Sequence, residues 1–322
     1  MNILFCSAGR RAELLKDFRK SLTPGSRIIA TDMSRYAPAI YFADTFYLVP
    51  SIFDEAYLPM ILDICKKENI QAITTLIDPE IAILSQNREK FCEIGVEVLA
   101  PYPQTAELCF DKYKLFQYLK NVGIPTAETF GCFEDTKEAL DNGKLTLPIF
   151  VKPRTGSGSV GARRLDTVEA LKAAFEEDPG LIAQEYMQCE DMDADVYVDT
   201  ITHLPVRIFS KRKLETKIGG ANKTVSFKDE RLFTFLNEAL THFEFNGPID
   251  VDLFYKDGQY YLSEINPRFG GAYLHAYGAG VDFVKLIENN VNGKPNTPVF
   301  GDYEENVVMM MYDSVVIKKI EE

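Results

Sequence analysis

Two runs of alternating residues, IDVDLFY from Ile249 and QYYLSEIN from Gln259, flank the dipeptide Asp257-Gly258. Asp-Gly between alternating apolar runs is the signature of a two-residue hairpin, so this stretch predicts an antiparallel pair of strands. Along the first strand, Asp250 and Asp252 face the same way. The return strand brings Glu264 and Asn266 beside them, and Arg268 follows at the next alternate position. Val251, Leu253, Leu262 and Ile265 are apolar, which implies a covered sheet rather than a solvated edge. Converging oxygen donors without histidine or cysteine suit Mg²⁺ held partly by substrate phosphates. The competing reading is a polar strand end running into an Asn-Pro turn.

The rest of the chain predicts an α/β protein in three parts. In residues 1–103, the runs NILFC, RIIATD, AITTLI and VEVLA read as strands. AYLPMILDICKKE places Leu58, Ile61, Leu62 and Cys65 on one helical stripe, so this part is a parallel, Rossmann-like domain. In such sheets ligands gather at the carboxyl ends of the strands, where the Ser7–Arg11 turn, Asp32 and Asp78 would share one rim. Residues 104–190 form a small α+β unit with a helix from Asp111 to Asn121, stopped by Gly123 and Pro125. Residues 191–322 are strand-rich, with DADVYVDTI, LPVRIFSKRKLE, the hairpin and ENVVMMMYDSVVI as strands. RLFTFLNEALTHF is a helix covering one sheet face.

Bulk properties exclude several functions. A net charge of −13 argues against a general nucleic-acid or membrane-surface binder. Six cysteines without a C-x-x-C pair read as reduced thiols of a cytoplasmic protein rather than a zinc site. The N-terminal run MNILFCSAGRR is neither a signal peptide nor a membrane span.

The stretch VKPRTGSGSVGARR puts Lys152 at a strand end before a loop carrying Gly156, Gly158 and Gly161. Missing Cβ atoms there let backbone N–H groups approach an anion, as in a phosphate cradle, although the Walker pattern is absent. A flexible Gly-Ser connector is the plain alternative. AQEYMQCEDMDADVYVD offers Glu185 and then Glu190 and Asp191, which alone is equally a surface charge run.

In this order DKYKLFQYLKNVGIPTAETF, PIFVKPRTGSGSVG, AQEYM with its following acids, and IDVDLFYKDGQYYLSEINPRFGG resemble the ATP-grasp superfamily. Within it they resemble single-module, carbamoyl-phosphate-synthase-like carboxylate–amine ligases. The resemblance implies an ATP-grasp fold of two α+β subdomains behind the Rossmann-like domain, with ATP and Mg²⁺ (or Mn²⁺) bound. It implies that Lys112 and Lys152 hold nucleotide phosphates, and that Gly156, Ser157, Gly158, Ser159 and Gly161 form the mobile loop over them. Glu185 would accept from the adenine amino group, with Tyr186 and Met187 as backbone hinge, and Glu190 or Asp191 would hold the ribose. Asp252, Glu264 and Asn266 would hold the metal, and Arg268 would face the transferring phosphoryl group. Beside the resemblance, Arg212 and Lys217 are candidate catalytic cations as partners for an acidic substrate, with solvated surface charge as the alternative. Gly270 and Gly271 would leave room for the substrate. The partners implied are a small carboxylate and an amine, with a homodimer left open.

Two other readings stand beside this one. The strand, turn and helix at NILFCSAGRRAELL, with Asp32 after the next strand, could start an NAD-dependent dehydrogenase, but only Gly9 stands where three glycines are needed. A catalytically silent nucleotide-binding module would bind ATP without turning it over. Arg10 and Arg11 are expected to serve an anion site on the first domain.

Overall fold

The computed structural model describes residues 1–156, 160–217 and 220–319. The first ninety-eight residues build a five-stranded parallel sheet from β1 (Asn2–Cys6), β2 (Arg27–Asp32), β3 (Thr45–Leu48), β4 (Ala72–Thr75) and β5 (Glu97–Val98), in the order β3-β2-β1-β4-β5. Its central strands are apolar on both faces because helices cover both. These are α1 (Ala12–Ser21), α2 (Tyr57–Lys67), α3 (Asp78–Gln86) and α4 (Arg88–Cys92). β3 had no counterpart among the expected strands, since its residues are half exposed at the sheet edge.

After α5 (Pro103–Phe110) comes α6 (Lys112–Asn121), which starts one residue later than expected because Asp111 is its cap, accepting from the amides of Tyr113 and Lys114. A four-stranded antiparallel sheet then collects β6 (Thr129–Phe130), β7 (Ile149–Pro153), β8 (Arg163–Leu165) and β9 (Leu181–Glu185), in the order β6-β9-β7-β8. Helices α7 (Phe133–Asp141) and α8 (Val168–Glu177) pack on it, burying Ala139, Leu171 and Phe175.

The last unit is a six-stranded antiparallel sheet, β14-β13-β10-β11-β12-β15. Its strands are β10 (Glu190–Val198), β11 (Pro205–Lys217), β12 (Gly220–Phe227), β13 (Gly247–Lys256), β14 (Gln259–Asn266) and β15 (Val308–Met310). The helix α9 (Glu230–Leu240) buries Leu232, Leu236 and Leu240, and α10 (Tyr273–Gly278) and α11 (Phe283–Val291) follow the hairpin. The long strand expected at the C-terminus shrinks to Val308–Met310, since only three residues find partners on β12.

One apolar core runs from Phe5 and Phe18 of the first unit to Phe269, Tyr273 and Phe283 of the last. The Arg11 guanidinium reinforces this contact, donating to the carbonyls of Phe269 (3.2 Å) and Gly270 (2.6 Å). The rim of the parallel sheet is thereby fixed against the end of β14.

Candidate functional site

The hairpin forms with Asp257 and Gly258 both at positive φ, 52° and 83°, as a two-residue primed turn requires. Lys256 faces Gln259, and the pairing stays regular as far as Leu253 with Leu262. A bulge then takes up Ser263, so Asp252 lies opposite Glu264 and Asp250 opposite Asn266. Strict alternation from that turn would have set Ser263 against Asp252 and Ile265 against Asp250. The extra residue is what turns Glu264 and Asn266 onto the face of the aspartates.

Two lysines from the preceding units converge on Glu264. Lys112, on the first turn of α6, places Nζ 3.7 Å from Glu264 Oε1, and Lys152, on β7, lies 4.0 Å from Oε2. All three side chains are largely buried. Burial raises the Glu264 carboxyl, and the two lysines work against that rise. Burial lowers Lys152, and Glu264 opposes it. Lys112 also donates to the Gly156 carbonyl, which ties it to the start of the glycine-rich loop. Gly156 and Gly161 have φ of 100° and 76°, a conformation that glycine adopts freely. Ser157, Gly158 and Ser159 lie outside the described residues.

Arg268 is nearly enclosed and makes a two-pronged pair with Asp78, Nε to Oδ1 at 2.7 Å and Nη2 to Oδ2 at 3.1 Å. Asp78 opens α3, at the carboxyl end of β4 on the parallel sheet's rim. The rim and the hairpin therefore meet at this ion pair.

Behind the hairpin the charged face continues onto β10 and β11, whose Asp193, Asp195, Lys211 and Lys213 the sequence reading left aside. Asp193 lies opposite Asp252, and Asp195 opposite Asp250. Lys213 Nζ contacts Asp252 (2.6 Å), Asp193 (2.8 Å) and Asp191 (2.9 Å), while Lys211 pairs with Asp195. Burial disfavours ionisation of Asp252, but Lys213, a hydrogen bond with Asp193 and the charge of Lys152 together outweigh it and hold that carboxyl at about 2. Burial, then the charge of Asp252, pushes Asp250 up to about 7. The signal for these residues was present: acids at 191, 193 and 195 and lysines at 211 and 213 recur at every second position along their strands.

The same alternation corrects the expectation for Arg212. Its neighbours Lys211 and Lys213 point to the charged face, so Arg212 points to the other, where it is half exposed, pairs with Glu190 (2.9 Å) and lies over Phe227. Lys217 is exposed and lies 3.7 Å from Glu215, away from Glu264. Glu190 and Asp191 likewise part, Glu190 to Arg212 and Asp191 to Lys213. Glu185 ends β9 paired with Lys256 (3.1 Å), Tyr186 stacks under Arg164, and the Met187 carbonyl accepts from Cys189.

Gly270 is also corrected. A Cβ there would stand 2.7 Å from the Asp250 carboxylate and 3.0 Å from Asp195 Oδ1, so glycine is required by the protein's own acids rather than by a substrate. Arg11 is partly buried and donates to the two carbonyls of the last unit, and burial lowers its guanidinium to about 10, so it holds the rim to the end of β14 rather than standing as an open anion site. Arg10 is exposed.

Among the described residues, no three His, Cys, Asp or Glu side chains make a ready metal cage. Asp252, Glu264 and Asn266 present two carboxylates and an amide on one face, with the Asn266 amide 3.3 Å from Asp252 Oδ2. That set fits a hard cation completing its shell with phosphate oxygens and water.

Comparison with known proteins agrees with this fold. The ATP-grasp domain model matches residues 109–272, more than half of the chain. The chain belongs to the ATP-grasp family. The PylC-like N-terminal domain model matches residues 3–99. A carbamoyl-phosphate synthase of Methanobrevibacter smithii is 23% identical over 286 residues, covering 84% of this chain and 76% of its own. N5-carboxyaminoimidazole synthetase from Staphylococcus aureus superposes with a TM-score of 0.75 at 19% identity, over 96% of this chain and 81% of that one. The biotin carboxylase domain dimer of Hydrogenobacter thermophilus 2-oxoglutarate carboxylase, in complex with MgADP, ADP and bicarbonate, gives 0.73 at 17% identity, over 95% and 73%. The ATP-grasp fold with its preceding parallel domain is thus the fold of this chain, and the dehydrogenase reading is not favoured. No helix among the described residues is long and apolar enough to cross a membrane.

Proposed function

We propose that this protein is an ATP-dependent ligase that activates a carboxylate as its acyl phosphate and joins it to an amine, releasing ADP and phosphate. ATP-dependent carboxylate–amine ligation is the chemistry supported by the family and its ligase neighbours. The observation that carries it here is the approach of Lys112 and Lys152 to Glu264 at 3.7 and 4.0 Å. These separations are longer than hydrogen bonds, so the ammonium groups keep donors for a polyphosphate lying between the two sheets.

A carboxylate is a poor electrophile until its oxygen carries a phosphoryl group. The substrate carboxylate attacks the γ-phosphorus of ATP and ADP departs. The amine nitrogen then attacks the acyl carbon, phosphate leaves, and the nitrogen gives up a proton. Lys112 and Lys152 neutralise phosphate oxygens, and Arg268, held in place by Asp78, faces the transferring group. A magnesium ion bound by Asp252, Glu264 and Asn266 would neutralise charge on the phosphates. Glu185, Tyr186 and Met187 at the end of β9 take the adenine, and Asp191, on the same face as Asp252, takes the ribose in preference to Glu190. The three parts of the chain at 1–103, 104–190 and 191–322 serve as rim, phosphate-covering unit and catalytic sheet. Six free cysteines support a reducing, cytoplasmic setting. Small molecules rather than nucleic acid are the partners, and a homodimer is retained as the proposed assembly.

The test is ADP release across pairs of carboxylates and amines, with Glu264→Gln beside the wild type. We expect release to require both substrates and a divalent ion, and the variant to turn over about a hundredfold more slowly or worse with a smaller change in ATP affinity. ATP binding without substrate-dependent release in any pair would establish a silent module instead. Normal turnover by the variant, or indifference to EDTA, would remove the hairpin from the active site.

A further inference from the structure

Among the described residues, Arg10 and Arg35 donate to no protein group and pair with no acid, whereas every other arginine donates to a carbonyl or a carboxylate. Acids are not scarce in a protein of net charge −13, so this isolation is a matter of position. Both residues sit on the carboxyl rim of the parallel sheet, Arg10 after β1 and Arg35 after β2. The same rim carries exposed apolar side chains. Met33, Tyr36 and Phe53 are 69, 77 and 84% exposed, unmatched by other large apolar side chains among the described residues except Val160 and those of the C-terminal segment from Val308. Asp32 holds these loops in place: its carboxylate accepts from the amides of Gly9 and Ser34, both at 2.8 Å, and its carbonyl from that of Val49 at 3.1 Å. Asp54 and Glu55 follow Phe53 on the third loop, so the cationic part of the rim is confined to the first two.

The rim runs into the site of the proposed ligase, and the inference rests on that reading. Asp78, which holds Arg268, opens the helix after β4, and β1 lies between β4 and β2. Neighbouring strands are about 4.8 Å apart, so the loops of Arg10 and Arg35 stand roughly 5 and 10 Å across the rim from Asp78. An acyl phosphate must be held until the amine reaches it, and a contact remote from the reacting carbon holds it without obstructing the attack. We propose that the carboxylate substrate is elongated and carries a second anionic group, that Arg10 and Arg35 bind that group, and that Tyr36 and Met33 cover the apolar stem beside it. Uncommitted guanidinium groups give such an anion charge-assisted donors, and the exposed aromatic and thioether side chains gain by being covered. A one-carbon carboxylate such as bicarbonate would not span this distance.

Calorimetry with a non-hydrolysable ATP analogue and Mg²⁺ present tests this with suberate, its monoamide suberamate, and succinate. We expect suberate to bind about tenfold more tightly than either, since suberamate lacks the second charge and succinate lacks the span. Arg10→Ala and Arg35→Ala should each weaken suberate about tenfold while the analogue binds as before, and Tyr36→Ser should weaken it about threefold through the lost apolar cover. All three side chains are exposed, so these variants should fold as the wild type does. Suberate binding that is absent or no tighter than that of suberamate or succinate would overturn the assignment, as would arginine or Tyr36 variants equal to the wild type. Failure of the wild type to bind the ATP analogue would instead defeat the ligase reading and this inference with it.

Discussion

Two sets of lysines meet carboxylates on one face of the last sheet, and they differ in closure. Lys211 and Asp195 are fully buried and in direct contact, with Phe209 against the ammonium. Lys112 and Lys152 stand back from Glu264 at 3.7 and 4.0 Å, and Glu264 lines an open cleft. The closed pair is sealed from any ligand, and its enclosure makes each partner dependent on the other. The open group leaves donors unused beside a space that a substrate can enter. Charge burial alone therefore does not single out the proposed site; incomplete pairing beside a cleft does.

The sharpest way to break that contrast is Lys211→Met, which strands Asp195 without its partner. Thermal or urea unfolding should show a loss of about 3–5 kcal/mol, the cost of an uncompensated buried charge. Retained stability would mean that the closed pair is no more structural than the open one. Next is Glu80 of the parallel domain, enclosed by Tyr57 and Thr75 and pushed up to about 7 by burial. With the folded value above the unfolded 4.5, its contribution to stability is full below 4.5 and is lost as pH rises through 7. Glu80→Gln should abolish this dependence, making the variant more stable than wild type by up to about 3 kcal/mol above pH 7 in unfolding curves. No change with pH would show that this acid is already ionised in the fold.

On the open side, Lys152→Met should weaken ATP binding about tenfold or more by calorimetry, with little loss of unfolding free energy, because its carboxylate partner is distant and shared with Lys112. The reverse pattern would place Lys152 among the closed pairs. The smallest effect is expected for Arg212→Ala, whose exposed pair with Glu190 should be worth at most about 1 kcal/mol, with turnover unchanged. A large drop in turnover would return Arg212 to the catalytic group.

Four of the five strands of the parallel domain, the helix at Lys112–Asn121 and the Asp-Gly hairpin were legible because each rests on local periodicity and a short-range stop or turn signal. The Asp193, Asp195, Lys211 and Lys213 lattice was missed because its charges are spread over two strands, and each alone looks like a solvated run. Arg11 and Gly270 were misread for a related reason. Their partners lie more than two hundred and fifty residues away or across the sheet, where no local pattern reaches.

By itself the sequence determined that residues 249–266 form a hairpin, that Asp250 and Asp252 share a face, and that this strand pair is covered. These follow from a two-residue turn and a period of two, both properties of a few neighbouring residues. The expectation that Glu264 and Asn266 join that face is met only through a bulge, which the tertiary structure alone decided. The decision lies in Ser263, the residue absorbed by the bulge. Alternation cannot locate a bulge, because the extra residue exchanges the faces of everything after it. Here Ile265 must enter the apolar core while Glu264 meets Lys112 and Lys152, and both conditions depend on units folded elsewhere in the chain.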